Sequence, residues 1–306
     1  MTTSTLNIDL IVPTEEEIAV LEQLDTAYAS ISEMTNDQRA FLTALILREQ
    51  PGKLLELGVS AGGSSIVMLN AIKDFPNAKL YSVDLNDIWY KDVKKKSGHF
   101  VDNYPQLKSK WELFTGNLAL KYIDQIGDGI DFCLIDTAHM NPGEIFDFLM
   151  ILPFLKDNAM VVFHDVTLHT AYSMNKNYFL GERAITTGLL MSAISGKKYL
   201  PASHSGDLFP NIAAIKLTAQ TRENLFEIFN LLTLRWHYLP TQEQERDIID
   251  HFTKYYDKYY IDYLVSVFSH QREIVPADKR NGLKRMIKNV LGKNNTKRIN
   301  KALGRL

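Results

Sequence analysis

Cysteine is almost absent from this sequence: Cys133 is the only one in 306 residues. A single thiol excludes an intramolecular disulfide and a cysteine-built metal site, and it fits a reducing compartment. Lying within the apolar run IDFCLI, Cys133 is expected in the core rather than as a nucleophile. No stretch of about 18 apolar residues occurs, so no segment is expected to span a membrane. The opening MTTSTLNIDLIVPTEEE lacks the basic start and apolar centre of a secretory signal, and a cytoplasmic location is expected. Nor is there a global excess of charge. A formal net charge of -2 argues against nucleic acid as a partner. Internal repeats and low-complexity stretches are also missing.

With 45% hydrophobic and 23% charged residues, the composition is that of an ordinary folded protein. Thr14-Glu15-Glu16-Glu17 and Thr35-Asn36-Asp37-Gln38 both match the capping box, so two helices are expected within 14–49. Pro51-Gly52 then breaks the pattern, and the chain begins to alternate. Strands are expected at 54–59, 79–83, 111–115, 131–135 and 160–163, with helices near 63–74, 88–107, 118–126 and 143–155 between them. Such alternation predicts right-handed βαβ units and a doubly wound α/β fold with a mostly parallel sheet.

After residue 166 the pattern loosens. One further strand is expected in Asn211–Leu217, followed by helices over 219–270. Within these helices Phe252, Tyr255, Tyr256, Tyr259, Tyr260 and Tyr263 recur at helical spacing, predicting one packed face in the core or at a subunit interface of a homo-oligomer. We therefore expect one domain over 1–275 and a separate tail over 276–306. From Lys279 onward the tail carries ten Lys or Arg residues and no acid. Leu283, Met286, Ile287, Val290 and Leu291 share one helical face, and Ile299, Ala302, Leu303 and Leu306 repeat the pattern after Gly292. A basic amphipathic helix can lie against the anionic inner face of a membrane, whereas a plain solvated tail is the alternative.

The run Glu56-Leu57-Gly58-Val59-Ser60-Ala61-Gly62-Gly63-Ser64-Ser65 ends the first expected βαβ strand and opens a helix, where open α/β sheets bind ligands. Its glycines are spaced Gly-x-x-x-Gly-Gly, which is not the GxGxxG nicotinamide fingerprint. Asp84 closes the next strand, 28 residues after Glu56. A carboxylate there can accept from both hydroxyls of a ribose, or it can simply cap the following turn.

Together LLELGVSAGGSS and YSVDL resemble motifs I and II of the class I S-adenosylmethionine-dependent methyltransferases, and the similarity runs on through Gly116-Asn117, LIDTAH and VVFHDV, about residues 50–166. The resemblance implies a seven-stranded Rossmann-like sheet and S-adenosylmethionine as cofactor. By match to that family's motifs, Glu56, Gly58, Ser60, Gly62 and Ser64 would hold the methionine part, Asp84 the ribose and Asn117 the adenine side, with Asp136 closing the cofactor site. The pair LIDTAH and FHDV is similar to the sugar and antibiotic O-methyltransferase subgroup, which includes relatives of cephalosporin hydroxylase and of rhamnosyl O-methyltransferases. Several of these use a divalent cation. Its ligands here would be Asp136, His164 and Asp165, for Mg²⁺ or another divalent cation, although an imidazole suits softer ions than Mg²⁺.

His139, three residues past Asp136, has the chemistry to take a proton from an acceptor hydroxyl, with Asp136, His164 and Asp165 expected around that hydroxyl and Asp136 as its catalytic partner, and His169 is a second candidate base. No NPPY or DPPY run follows the strand that ends at Ile135, which favours hydroxyl over amino acceptors. The expected activity is methyl transfer to a hydroxyl of a saccharide or other small molecule. A metal-dependent hydroxylase-like enzyme and a non-catalytic S-adenosylmethionine-binding module are the alternatives.

Overall fold

Each central strand sends alternate side chains to opposite faces of the sheet, as a period of two requires. Leu55, Leu57, Cys133, Ile135, Val161, Phe163, Ala213 and Ile215 enter one buried cluster, whereas Leu54, Phe132, Leu134, Met160, Val162, Ile212 and Ala214 enter another. Both faces are apolar because both are covered, the arrangement expected of a largely parallel sheet. The computed structural model describes residues 8–24, 28 and 32–275.

Among the described residues eight strands form the sheet: β1 (Ile8–Ile11), β2 (Lys53–Leu57), β3 (Lys79–Asp84), β4 (Trp111–Thr115), β5 (Ile130–Ile135), β6 (Leu155–His164), β7 (Lys197–Pro201) and β8 (Ile212–Lys216). Their order is β1-β7-β8-β6-β5-β2-β3-β4. Pairings are parallel except those of β8 with β6 and β7. The doubly wound architecture is as the sequence predicts, but the strand count is corrected from seven to eight. The added strand is β1, which pairs in parallel with β7 through Leu10 opposite Leu200. Neither β1 nor β7 stands out in the sequence, since IDLI is short and KKYLP carries two lysines and a proline.

The first face is covered by α1 (Glu15–Glu22), α2 (Asn36–Glu49) and α3 (Gly63–Ala71). Both expected capping boxes form: the Thr14 hydroxyl accepts from the Glu17 amide and the Thr35 hydroxyl from the Gln38 amide. The expected helix over 88–107 does not form. Instead turns run to Gly98, and 3-10 segments follow at His99–Asn103 and Pro105–Lys110. Gly98 is left-handed at φ 71, and Pro105 disfavours helix at Tyr104, so no α-helix can run through.

The opposite face carries α4 (Ile123–Ile126), α5 (Gly143–Ile151), α8 (Thr186–Ala193), α9 (Ala219–Glu223), α10 (Leu225–Leu231), α11 (Gln242–Tyr255) and α12 (Lys258–Ile274), while α6 (Leu168–Met174) and α7 (Tyr178–Arg183) follow β6 and pack on one another. The helix expected over 118–126 is reduced to a 3-10 turn at Ala119–Lys121 and the single turn of α4. Tyr256 is extended at the end of α11, so the expected single aromatic face is split between two helices. Phe252 is fully buried, while Tyr259 is 60% exposed.

A strap at 232–238 joins α10 to α11. Gln271 of α12 is fully buried and holds it, accepting from the Trp236 amide at 3.0 Å and donating to the carbonyls of Leu232, Thr233 and Leu234. Strap and helices thereby form one buried hydrogen-bonded unit, and the strap in turn reaches the candidate site. No helix among the described residues is long and apolar enough to cross a membrane. The basic tail expected over 276–306 lies outside the described residues.

Candidate active site

Strand β2 is bonded to β3 on one side and β5 on the other, so the winding reverses beside it. A crevice outside the carboxyl ends of strands opens at such a switch point. The turn after β2 fills its floor. Gly58 has φ 88, and a Cβ there would lie 1.8 Å from the carbonyl oxygen of Asp136, so only glycine lets the turn seat against the end of β5. Gly62, at φ 99, is similarly pressed against Val101 and Gly98.

Two carboxylates hold this turn. Asp84 accepts from the amides of Val59 and Ser60, both at 3.0 Å, and its other oxygen accepts from the Asn86 amide at 2.8 Å. The turn-capping hydrogen bonds open in the sequence are therefore formed. Glu56 lies beneath, wholly buried, accepting from the hydroxyls of Ser64 at 2.5 Å and of Ser65 and Ser82 at 2.6 Å. Burial pushes its carboxyl up to about 7 despite these three donors. Glu56 and Ser64 thus brace one another under the turn rather than lining an open surface. Above it, the Trp89 indole donates to the Ser60 hydroxyl at 3.1 Å, and the Gly98 amide to the Ser60 carbonyl at 2.9 Å. Asn117 is exposed at the end of β4, its amide 3.5 Å from the Tyr122 hydroxyl.

Next to the turn, acids and histidines converge at the ends of β5 and β6. His139 Nε2 lies 3.3 Å from Asp136 and 3.1 Å from Asp165, and its Nδ1 lies 3.0 Å from Glu144. His164 Nδ1 lies 3.2 Å from Asp136, and its Nε2 lies 3.2 Å from the Gln38 carbonyl oxygen. The carboxylates accept when ionised and the Gln38 side-chain amide oxygen accepts in any case, so each ring, when protonated, has an acceptor for the N–H at both nitrogens. Burial alone would strip their protons, but Asp136 and its companion carboxylates outweigh it, holding His139 well above the usual imidazole range and His164 at about 9. Burial would likewise raise Asp136, but His164 and His139 together keep it well below the usual carboxylate range.

The expected set Asp136, His164 and Asp165 does converge, His164 Nδ1 lying 3.2 Å from Asp136 and 3.6 Å from Asp165, and His139 joins it: the ligand atoms of Asp136, His139 and Asp165 all lie within 4.8 Å of one another. The alternation of β6 sends His164 with Met160 and Val162 onto the α2 face, where its Nε2 meets Gln38 while its Nδ1 stays beside the two carboxylates. His139 and Asp165 are both left-handed, at φ 45 and 59. Two carboxylates and one imidazole form a donor set suited to Mn²⁺, Fe²⁺ or Zn²⁺ more than to Mg²⁺. His169, the second candidate base, sits on α6 with Nδ1 buried, and no hydrogen bond or ion pair described here joins it to this group.

Sequence reasoning passed over Glu144, Gln38, Thr187 and Asn211. Glu144 is fully buried in the first turn of α5 and accepts from the Thr187 hydroxyl of α8. Asn211 donates to Asp165 at 2.6 Å. The signal for Glu144 was present, an acid in the first turn of the largely apolar helix GEIFDFLMI, five residues after His139. Gln38 was legible only as a helix cap.

Residues 55–166 match the family model described as a methyltransferase domain. None of the curated proteins matches the chain. Among solved structures, the O-methyltransferase TomG from Streptomyces achromogenes, in complex with S-adenosylmethionine, is 18% identical, covering 69% of this chain and 93% of its own, at a TM-score of 0.46. The O-methyltransferase from Bacillus cereus, in complex with S-adenosylhomocysteine, is also 18% identical, covering 68% and 94%, at a TM-score of 0.45. Likenesses this distant carry no weight beside the domain match, the strand order and the glycine turn at the switch point. On those grounds residues 55–166 are a methyltransferase domain, set within a mostly parallel eight-stranded sheet.

Proposed function

We propose that the protein transfers the methyl group of S-adenosylmethionine to a hydroxyl of a small or glycan-like acceptor, with His139 receiving the hydroxyl proton. The observation that carries this reading is the junction of the glycine turn with the Asp136, His139 and Asp165 group through the contact of Gly58 with the Asp136 carbonyl. The turn would hold the cofactor and the group would face the acceptor.

In this reaction the acceptor oxygen attacks the sulfonium methyl carbon in line, the carbon–sulfur bond breaks, and the proton leaves to His139 Nε2 as the ether forms. S-adenosylhomocysteine departs neutral at sulfur. His139 has to be neutral before it accepts that proton. The sulfonium charge arriving nearby favours the neutral ring, because a like charge disfavours the imidazolium. Asp136 and Asp165 then stabilise the imidazolium that forms, and orientation of the two reactants supplies much of the remaining rate. The saccharide class rests on the LIDTAH and FHDV resemblance and on the basic tail, which would suit a lipid-linked glycan.

A second reading has Asp136, His139 and Asp165 holding a divalent cation, favoured by the convergence of their three donors. Such a cation would lower the pKa of an acceptor hydroxyl.

The test is methyl transfer from methyl-labelled S-adenosylmethionine to a panel of nucleotide sugars, free sugars and phenols, with the parent, Asp84→Ala and His139→Gln. Product from the parent and none from His139→Gln supports the proposal. S-adenosylmethionine binding with no product from any acceptor would leave only a binding module. Activity abolished by EDTA and restored by Mn²⁺ would select the second reading.

A further inference from the structure

We infer that Glu144 is the positioning residue of the site: it fixes the His139 ring so that Nδ1 points into the protein and Nε2 faces Asp136 and Asp165. Three observations converge on this assignment. Glu144 is fully buried, yet among the described residues it makes no ion pair with Lys or Arg; its two oxygens are divided between His139 Nδ1 at 3.0 Å and the Thr187 hydroxyl. An acid so enclosed is costly to keep unless both oxygens are satisfied, and these two partners satisfy them.

Secondly, the backbone bearing His139 is held from outside. Asn141, two residues on, donates to the carbonyls of Leu234 and Arg235, and its own carbonyl accepts from the His237 amide. The strap at 232–238 therefore locks the loop while Glu144 locks the ring. His139 sits at φ 45, a conformation that a non-glycine residue keeps only when its surroundings impose it.

Thirdly, Glu144 lies in the first turn of α5, where the free amides of the helix favour a carboxylate. Asp147, one turn on, is also drawn inward, but its partner is the Thr137 hydroxyl at 2.6 Å. It offers the ring nothing.

An imidazole with one nitrogen tied to a carboxylate presents the other in a defined direction, whether that nitrogen takes a proton or ligates a metal. The assignment rests on the reading of His139 as the functional histidine, but its test does not need an acceptor. In protein labelled with ¹⁵N-histidine, we expect the Nδ1 proton of His139, assigned by its loss in His139→Gln, to appear far downfield and to exchange slowly. Glu144→Leu should lose this resonance, Glu144→Gln should keep it shifted upfield, and S-adenosylmethionine affinity should be unchanged in both.

A resonance unaltered in Glu144→Leu would overturn the assignment. Should Glu144→Leu fail to fold, Glu144→Gln decides, because an unshifted resonance there means that the carboxylate is not the partner. Thr187→Val supplies a further arm: it should broaden the resonance without removing it. If His139→Gln keeps full methyl transfer while the resonance follows Glu144 as expected, the fault lies in the proposed base and not in the positioning contact.

Discussion

Replacing Glu56 with Gln isolates one buried carboxyl group. Burial raises Glu56 from an ordinary 4.5 to about 7 in the folded chain. Between these values the folded protein keeps a proton that the unfolded chain releases, so folding is favoured at low pH and loses that advantage as pH rises. Each unit of difference is worth about 1.4 kcal/mol, which gives a loss of about 2–3 kcal/mol between about pH 5 and about pH 8. Gln does not titrate. The stability of Glu56→Gln relative to the parent should therefore climb by about 2–3 kcal/mol over that span, with most of the rise below pH 7. Urea unfolding of both proteins in matched buffers at several pH values reads the difference directly, since every other titrating group cancels. A flat difference would mean that the hydroxyls of Ser64, Ser65 and Ser82 fully offset burial. A difference of opposite slope would mean that they win outright and that Glu56 is ionised throughout.

Gly58→Ala should cost more than about 4 kcal/mol, because its Cβ would meet the Asp136 carbonyl at 1.8 Å with φ 88, whereas Gly127→Ala, whose nearest neighbour is 3.6 Å away, should cost about 1 kcal/mol for backbone strain alone. Urea midpoints of the two variants decide it, and equal costs would refute the close approach. Gln271→Leu leaves the Trp236 amide and three strap carbonyls without their partner, at a cost of about 3 kcal/mol. Hydrogen exchange should speed up both in the strap and in the 137–143 loop that Asn141 ties to it; acceleration confined to the strap would sever that link.

The sequence by itself determined the layers of this protein. Alternating apolar runs, two capping boxes and a glycine turn are local signals, and each reports on residues within a few positions of itself. The central strands β2, β3, β4, β5, β6 and β8 and the glycine turn were legible for that reason. The missing helix over 88–107 was decided locally too, by Gly98 and Pro105, but against the surrounding propensity. Strands β1 and β7 depend on pairing with one another and with β8, and edge pairing leaves little trace in a four- or five-residue segment.

What only the tertiary structure decided is which side chains share the site. His139 and His164 flank Asp136 at similar distances, and composition cannot separate them. The pleat of β6 turns His164 toward Gln38, and a left-handed backbone held by the strap turns His139 toward Asp165 and Glu144. Gln38, Thr187 and Asn211 come from helices and a strand end distant in sequence, and their roles exist only once the layers have packed. The same holds for Asp84, whose grip on the glycine turn depends on β2 and β3 lying side by side.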